Sequence, residues 1–234
     1  MSGPVTRKSI PDLLLMRAPM DFPLAGLEDS PERAAQTAPH DEQLCPEYGL
    51  GFHERMYGDF TIDNISGQLD MRSAITIPSL PKFYADPEHS AILCSRVEHP
   101  FFEKSVLGDE GRFSLFAPSH RRGEKLMIYE FPFAYDGKRY FFRGEKFLAN
   151  DWYFDFWKDS TTLYCKLYEG DSTMGRVAGS GILRVTIPEI IKLLDSAYAI
   201  NVPTLGGQWR VKLGFALFFI KNLASIYSPF RANR

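Results

Sequence analysis

The sequence has few cysteines, and its histidines lack the spacings typical of metal sites. Cys45, Cys94 and Cys165 are far apart and odd in number, so they indicate neither a disulfide framework nor a C-x-x-C metal pair. The five histidines show no H-x-H or H-x-x-x-H spacing, and metal signatures depend on such spacing. We therefore predict reduced thiols, a cytoplasmic location and no metal site.

Several other features are missing. No apolar run is long enough to cross a membrane, and Leu13–Met16 is too short for the core of a signal peptide. There is no G-x-S-x-G nucleophile motif, and Gly175, Gly179 and Gly181 lack the spacing of a dinucleotide or phosphate loop. We interpret these glycines as places where a strand bends or a ring packs on the backbone. We expect no cofactor and, with a net charge of −2, no nucleic acid partner.

The N-terminal 47 residues contain seven prolines, which exclude a long helix or a central strand. We predict an extended arm over residues 1–47, followed by one domain over residues 48–234. With 44 % apolar residues, a chain of this length can bury a core without disulfides.

From Gly49 onward, the apolar residues recur at every second position, which is the period of a half-buried strand. About eight or nine such segments follow one another through short turns, and Asp136-Gly137 is typical of a hairpin turn. This pattern predicts a mainly β fold that closes into an antiparallel, lipocalin-like barrel, with a two-sheet sandwich as the alternative. The apolar set of the first strand comprises Leu50, Phe52, Glu54, Met56, Gly58, Phe60 and Ile62.

Helical spacing appears only near the C-terminus, where residues 188–200 and 208–227 predict a helical pair. We expect the apolar stripe of the second helix to pack against the barrel. Because Arg210, Lys212 and Lys221 flank its apolar run, docking on a membrane or in a partner's groove is the alternative. The stripe comprises Leu213, Leu217, Ile220, Leu223 and Tyr227.

Aromatic residues make up 14 % of the chain, and residues 151–170 alone contain seven of them. Core packing and cross-strand ring pairs account for most of these rings. Rings also occur on both faces of some strands, which an apolar barrel cavity would explain. We predict such a cavity and a hydrophobic ligand in it. The predicted lining comprises Phe52, Glu54, Met56, Tyr129, Phe131, Phe133, Tyr140, Phe142, Trp152, Trp157 and Tyr164.

Glu54 falls within the apolar set of the first strand, where a carboxylate would lose its hydration. One interpretation is a general acid or base, or a polar anchor for a ligand. The other is a structural ion pair with Arg72, Arg143 or Arg184 on a neighbouring strand, since buried charges need partners.

The segments FHERMYGDF, FYADPEHSA, GRFSLF, DFWKDSTTLYCKLYEG and GILRVTIPEIIKLL lie between about residues 52 and 194. Together they resemble a β-rich accessory region of bacterial cholesterol-oxidase-like flavoenzymes, which belong to the glucose–methanol–choline group. The chain lacks the flavin domain and its glycine motif, so the resemblance does not imply their enzymatic activity. It implies an association with sterol-like or other lipid chemistry.

Three functions fit this sequence. The first is binding of a lipid or sterol-like molecule, which the absence of nucleophile, metal and cofactor motifs favours. The second is a cofactor-free isomerase, cyclase or hydratase in the same barrel, with Glu54 as acid or base and Tyr129 or Tyr164 as hydrogen-bond donor. The third is an accessory subunit of a lipid-modifying enzyme, which would dock on that enzyme or a membrane surface through the C-terminal helix.

Overall fold

The computed structural model describes residues 47–121, 123–148, 161–185 and 195–227. The predicted arm therefore lies outside the described residues, apart from Glu47. Strands dominate the described part of the chain. The elements are β1 (Gly49–Ile62), β2 (Ile65–Ile77), α1 (Leu80–Ala85), β3 (Ser90–Glu98), β4 (Val106–Leu107), β5 (Gly111–Pro118), β6 (Lys125–Tyr135), β7 (Lys138–Leu148), β8 (Thr162–Glu169), β9 (Val177–Arg184), β10 (Tyr198–Ile200) and α2 (Leu205–Tyr227).

Eight of these strands form a closed antiparallel barrel. Their order is β1-β2-β3-β5-β6-β7-β8-β9, and β9 pairs back onto β1, for example at Phe60 and Gly181. The short strands β4 and β10 extend the sheet beside β3 and β1. The predicted mainly β barrel is confirmed, and the alternative of a two-sheet sandwich is wrong.

The period-two pattern of β1 turns its apolar set into the barrel. Met56 and Phe60 are buried, whereas His53 is exposed. On the inner face of the neighbouring strands β6 and β7, the ring of Phe142 stacks on that of its cross-strand partner Phe131 with centroids 4.9 Å apart. Ring pairs of this kind contribute about 0.5–1.5 kcal/mol beyond the burial of their area. Aromatic packing is therefore a large part of what stabilises the barrel.

Tight hairpins close one end of the barrel, which we call the turn end. Asp63-Asn64 joins β1 to β2, and Asp136-Gly137 joins β6 to β7; all four residues have positive φ. Two-residue turns of this kind match the twist of the flanking strands. The hairpin predicted at Asp136-Gly137 is confirmed.

The opposite end, which we call the helix end, carries α1 and α2. The Ser79 hydroxyl caps α1 by accepting from the backbone N–H of Lys82, which satisfies one of the free donors of the first turn. The ring of Phe215 in α2 lies 6.2 Å from that of Phe52 in β1 and 6.1 Å from that of Phe83 in α1. These rings hold α2 against the barrel.

The predicted C-terminal helical pair is only partly correct. Residues 186–194 lie outside the described residues, and Tyr198–Ile200, which we expected to be helical, form strand β10 instead. The reason is that β1 pairs with β9 only from Tyr57 onward, so the start of β1 offers unpaired backbone groups on that side. Strand β10 satisfies them by pairing with residues 49–51.

The second predicted helix is confirmed as α2, but the expected inner stripe is wrong at three of its five positions. Leu223 does pack against the core, and the side chain of Tyr227 lies outside the described residues. Leu213, Leu217 and Ile220 are all more than half exposed, whereas Val211 and Ile226 on the opposite face are buried. The rings on that opposite face occupy the helix end of the barrel. No helix in the described residues is long and apolar enough to cross a membrane.

The glycines of β9 let a ring pack on the strand backbone, as we expected. A Cβ atom on Gly181 would lie 2.5 Å from the ring of Phe60, and one on Gly179 would lie 2.9 Å from it. This contact forms where β9 pairs with β1. The interpretation as a site where a ring packs on the backbone is therefore confirmed for Gly179 and Gly181. Gly175 lies in the turn before β9, close to the backbone of Glu169 and not to a ring.

Candidate functional site

A buried polar cluster lies inside the barrel and comprises Glu54 of β1, Tyr129 of β6 and Lys146 of β7. The Lys146 ammonium lies 3.1 Å from Oε1 of Glu54, and the Tyr129 hydroxyl donates to Oε2 over 2.8 Å. The side chains of Glu54 and Lys146 are only 5 % and 3 % exposed. Such burial is tolerated because each charge has an opposite partner. We call these three residues the polar cluster.

Burial also shapes the acidity of groups at this site. Desolvation raises the pKa of Tyr129 well above its ordinary value, and the negative charge of Glu54 raises it further. Desolvation likewise raises the pKa of the Cys165 thiol, so both groups stay protonated at neutral pH. Tyr129 is therefore a hydrogen-bond donor, and Cys165 is not a thiolate nucleophile.

Polar side chains continue around the interior from the polar cluster. Ser73 lies opposite Glu54 in the β1–β2 register, and its Oγ lies 2.8 Å from Oγ of Ser95 on β3. Both serines are buried. The barrel thus contains a set of donors and acceptors surrounded by aliphatic and aromatic side chains.

The partner of Glu54 is a lysine, not one of the three arginines that the sequence suggested. Arg143 projects outward instead, where it pairs with Glu130 and Glu145. Lys146 falls on the same alternate positions of β7 as Tyr140 and Leu148, which point inward. A charged residue within the apolar set of a strand was the signal used for Glu54, and it would have identified Lys146 as well.

Most of the predicted lining residues do lie inside the barrel. Tyr164 does not: it is 48 % exposed and contacts Phe147 on the outer face. The predictions that it lines the interior and donates a hydrogen bond there are therefore wrong. Trp152 and Trp157 lie outside the described residues. The residues that the fold does bring to the interior are Phe52, Glu54, Met56, Tyr129, Phe131, Phe133, Tyr140 and Phe142.

Both oxygens of Glu54 are engaged, one by Lys146 and the other by Tyr129. A carboxylate held in this way acts as a counter-ion and a hydrogen-bond acceptor. To serve as a general base, Glu54 would have to give up one of these partners, because a base must lie within hydrogen-bond distance of the proton that it removes. The arrangement favours anchoring a polar group over removing a proton.

Two clefts lie on the outer surface of the described residues. One, of about 310 Å³, lies at the helix end and is lined in part by Ile77, Pro78 and Phe83. The other, of about 570 Å³, lies near the turn end beside Asp70 and His99.

The histidines of the described residues have other roles than metal binding. Within the described ranges, no group of three or more His, Cys, Asp or Glu side chains is placed to hold a metal ion. His99 has a structural role: its Nδ1 accepts from the backbone N–H of Phe101, and its Nε2 lies 3.1 Å from the carbonyl of Phe60. This arrangement requires the neutral ring with its proton on Nε2.

We expect the protein to lose stability when the pH falls from about 7.5 to about 5.5. Desolvation lowers the pKa of both His99 and His89 below the ordinary value. In the unfolded chain these rings take up protons below about pH 6.5, so protonation favours the unfolded state in this window. Guanidinium unfolding at the two pH values measures the effect.

In His99→Gln, the free energy of unfolding should differ less between the two pH values than in the wild type. The variant removes one of the two histidines whose pKa the fold lowers. Most carboxylates stay ionised at pH 5.5 and should contribute little. A wild type that is equally stable at both pH values would contradict this explanation.

Comparison with known proteins found no match: no protein family, no curated protein and no solved structure is similar to this chain at a significant level. The functional proposal therefore depends on the barrel, on its polar cluster and on the helix that lies at its end.

Proposed function

We propose that this protein binds an apolar small molecule with one polar group, such as a lipid or a sterol, at the helix end of the barrel. The observation that carries this proposal is the polar cluster. Ligand pockets are mostly apolar, with a few placed polar groups that fix orientation, and Tyr129, Glu54 and Lys146 supply such groups inside an aromatic interior.

A continuous path of rings leads from α2 to the polar cluster. The centroid of Phe215 in α2 is 6.2 Å from that of Phe52, and Phe52 is 6.4 Å from Phe113. Phe113 lies 4.9 Å from Tyr129, whose hydroxyl donates to Glu54. An apolar chain that replaced Phe215 at the helix end would contact Phe52 and Phe113 before it reached the polar cluster.

Binding in this way requires a displacement, because the half-buried ring of Phe215 lies against Phe52 at this end of the barrel. The Phe215 ring is the first to move, since it belongs to α2 and not to a strand. Phe83 borders both the 310 Å³ cleft and Phe215, so a shift of α2 would enlarge a space already near the lower end of ligand-pocket volumes, roughly 300–1,000 Å³.

The resemblance to an accessory region of cholesterol-oxidase-like flavoenzymes stays a prediction, and it guides the choice of probes. Sterols and long-chain alcohols combine an apolar body with a single hydroxyl. In an accessory subunit, such a site would hold the molecule for a separate enzyme.

The test is competition of a long-chain alcohol, and of the alkane of equal length, against an apolar fluorescent probe. We expect Tyr129→Phe to weaken binding of the alcohol by about tenfold, since it deletes one buried hydrogen-bonding group. Binding of the alkane should be unchanged. Mass spectrometry of organic extracts from purified protein would identify a ligand bound in the cell.

Tyr164→Phe is the matched control, because it deletes the same hydroxyl from the outer face of the barrel. It should leave both competitors unaffected. The proposal is refuted if the wild type binds no apolar probe, or if Tyr129→Phe and Tyr164→Phe bind the alcohol equally well.

A further inference from the structure

Helix α2 exposes a stripe of large apolar side chains over residues 205–220. Trp209 is 72 % exposed and Leu205 is 77 % exposed. Side chains of this size expose on the order of 500 Å² together, which is at the upper end for a monomeric protein, and larger patches mark interaction sites. We call this set the outer stripe. It comprises Leu205, Trp209, Leu213, Leu217 and Ile220.

The outer stripe lies opposite the face that packs on the barrel. At about 100° of rotation per residue, the outer stripe projects from the side of the helix opposite to Val211, Phe215 and Ile226. Val211 and Ile226 are buried, and Phe215 is partly buried against the core. The helix is therefore apolar on two faces. The barrel accounts for one of them, and the outer stripe needs another explanation.

Positive charge borders the outer stripe on both sides. Helical rotation places Arg210 and Lys221 along one edge and Lys212 along the other, with its ammonium 5.6 Å from the ring centroid of Trp209. The sequence of α2 contains no aspartate or glutamate. An apolar face with a tryptophan and basic borders is typical of helices that lie in a membrane interface.

We propose that the outer stripe docks α2 flat onto an anionic lipid surface. The helix would lie parallel to the bilayer, with its five apolar side chains in the acyl boundary and its basic residues among the headgroups. This inference does not depend on the proposed ligand site, because the outer stripe takes no part in that site.

A second copy of the chain is a poorer occupant. Two copies that paired through their outer stripes would bring Arg210, Lys212 and Lys221 of one close to those of the other. Neither helix offers an acidic side chain to compensate, and like charges placed together oppose association. Anionic headgroups provide the missing negative charge.

The experiment is co-sedimentation of the full-length protein with two kinds of vesicle, pure phosphatidylcholine and a mixture with about 30 % phosphatidylserine. We expect much stronger binding to the anionic vesicles, and a loss of binding as salt screens the basic residues. The double variant L213Q/L217Q should weaken binding at least tenfold. Lys212→Gln and Lys221→Gln should each weaken it about fivefold and reduce its dependence on salt.

Met174→Gln is the matched control, because Met174 is apolar and 91 % exposed but lies outside α2, in the turn between β8 and β9. It should bind vesicles like the wild type. Circular dichroism should show an unchanged fold in every variant, since the substituted side chains are largely exposed.

Three results would overturn the proposal. The first is a wild type that stays in the supernatant with anionic vesicles at low salt. The second is a wild-type dimer in solution that L213Q/L217Q converts to a monomer, which would assign the outer stripe to a contact between copies. The third is equal vesicle binding by L213Q/L217Q and Met174→Gln.

Discussion

Replacing Lys146 with methionine is expected to lower the free energy of unfolding by about 3–5 kcal/mol. Methionine has a similar length, so it leaves little empty space, but it removes the positive charge. The carboxylate of Glu54 then stays buried, at 5 % exposure, with only the Tyr129 hydroxyl as a partner. Urea unfolding of the wild type and the variant at neutral pH measures the difference.

A double variant separates charge from packing. Glu54→Gln combined with Lys146→Met removes both charges and keeps an acceptor for Tyr129, so it should recover most of the stability lost by Lys146→Met alone. Lys166→Met, which removes an exposed lysine from the outer face of β8, should change stability by less than about 0.5 kcal/mol. A loss under about 1 kcal/mol in Lys146→Met would contradict the role assigned to the ion pair.

The polar cluster shows how far local sequence can identify a site. The period of two along β1 predicted that Glu54 points inward and needs a partner, and both are correct. The identity of that partner depends on which residue of β7 lies across the interior from Glu54. Which residues face each other across the interior is set by how the barrel closes. The apolar pattern of each single strand does not give this information.

Tyr164 illustrates a limit of a different kind. Along β8, the buried residues Leu163, Cys165 and Leu167 alternate with Tyr164 and Lys166. Tyrosine is amphipathic and occurs on both inner and outer faces, so its presence alone does not fix a direction. The alternation along β8 does, because Leu163, Cys165 and Leu167 form its apolar set and leave Tyr164 on the opposite face.

The face of α2 could not be chosen from periodicity. Because the helix is apolar on two sides, residues 213, 217 and 220 and residues 211, 215 and 218 both form stripes with helical spacing. The aromatic rings at the helix end determine which stripe packs inward. The ring centroid of Phe218 lies 4.7 Å from that of Tyr84 and 6.0 Å from that of Phe83. These partners are more than 130 positions away in the chain, so no local pattern carries the information.

The second large effect is expected at the seam where β9 closes the barrel onto β1. Gly181→Ala should lower the free energy of unfolding by about 3 kcal/mol, the upper end of the range for overpacked sites. Its Cβ would lie 2.3 Å from the carbonyl oxygen of Asp59 and 2.5 Å from the ring of Phe60. Thermal and denaturant unfolding both report the loss.

Neither neighbour can move away without breaking something else. The Asp59 carbonyl is part of the β1 backbone, which pairs with β2 on its other side, and the Phe60 ring packs on Phe142 in the core. Separating β1 from β9 at Gly181 would disturb the strand pairing that closes the eight described strands into a barrel. The expected loss is therefore large for a single added methyl group.

Gly214→Ala provides the opposite result with the same chemical change. Gly214 lies on an exposed part of α2, and a Cβ there meets nothing within 4 Å. Because alanine is the better helix former, this variant should gain up to about 1 kcal/mol. If Gly181→Ala and Gly214→Ala instead have similar stabilities, the seam has room for a Cβ atom at position 181 and the expected overpacking is wrong.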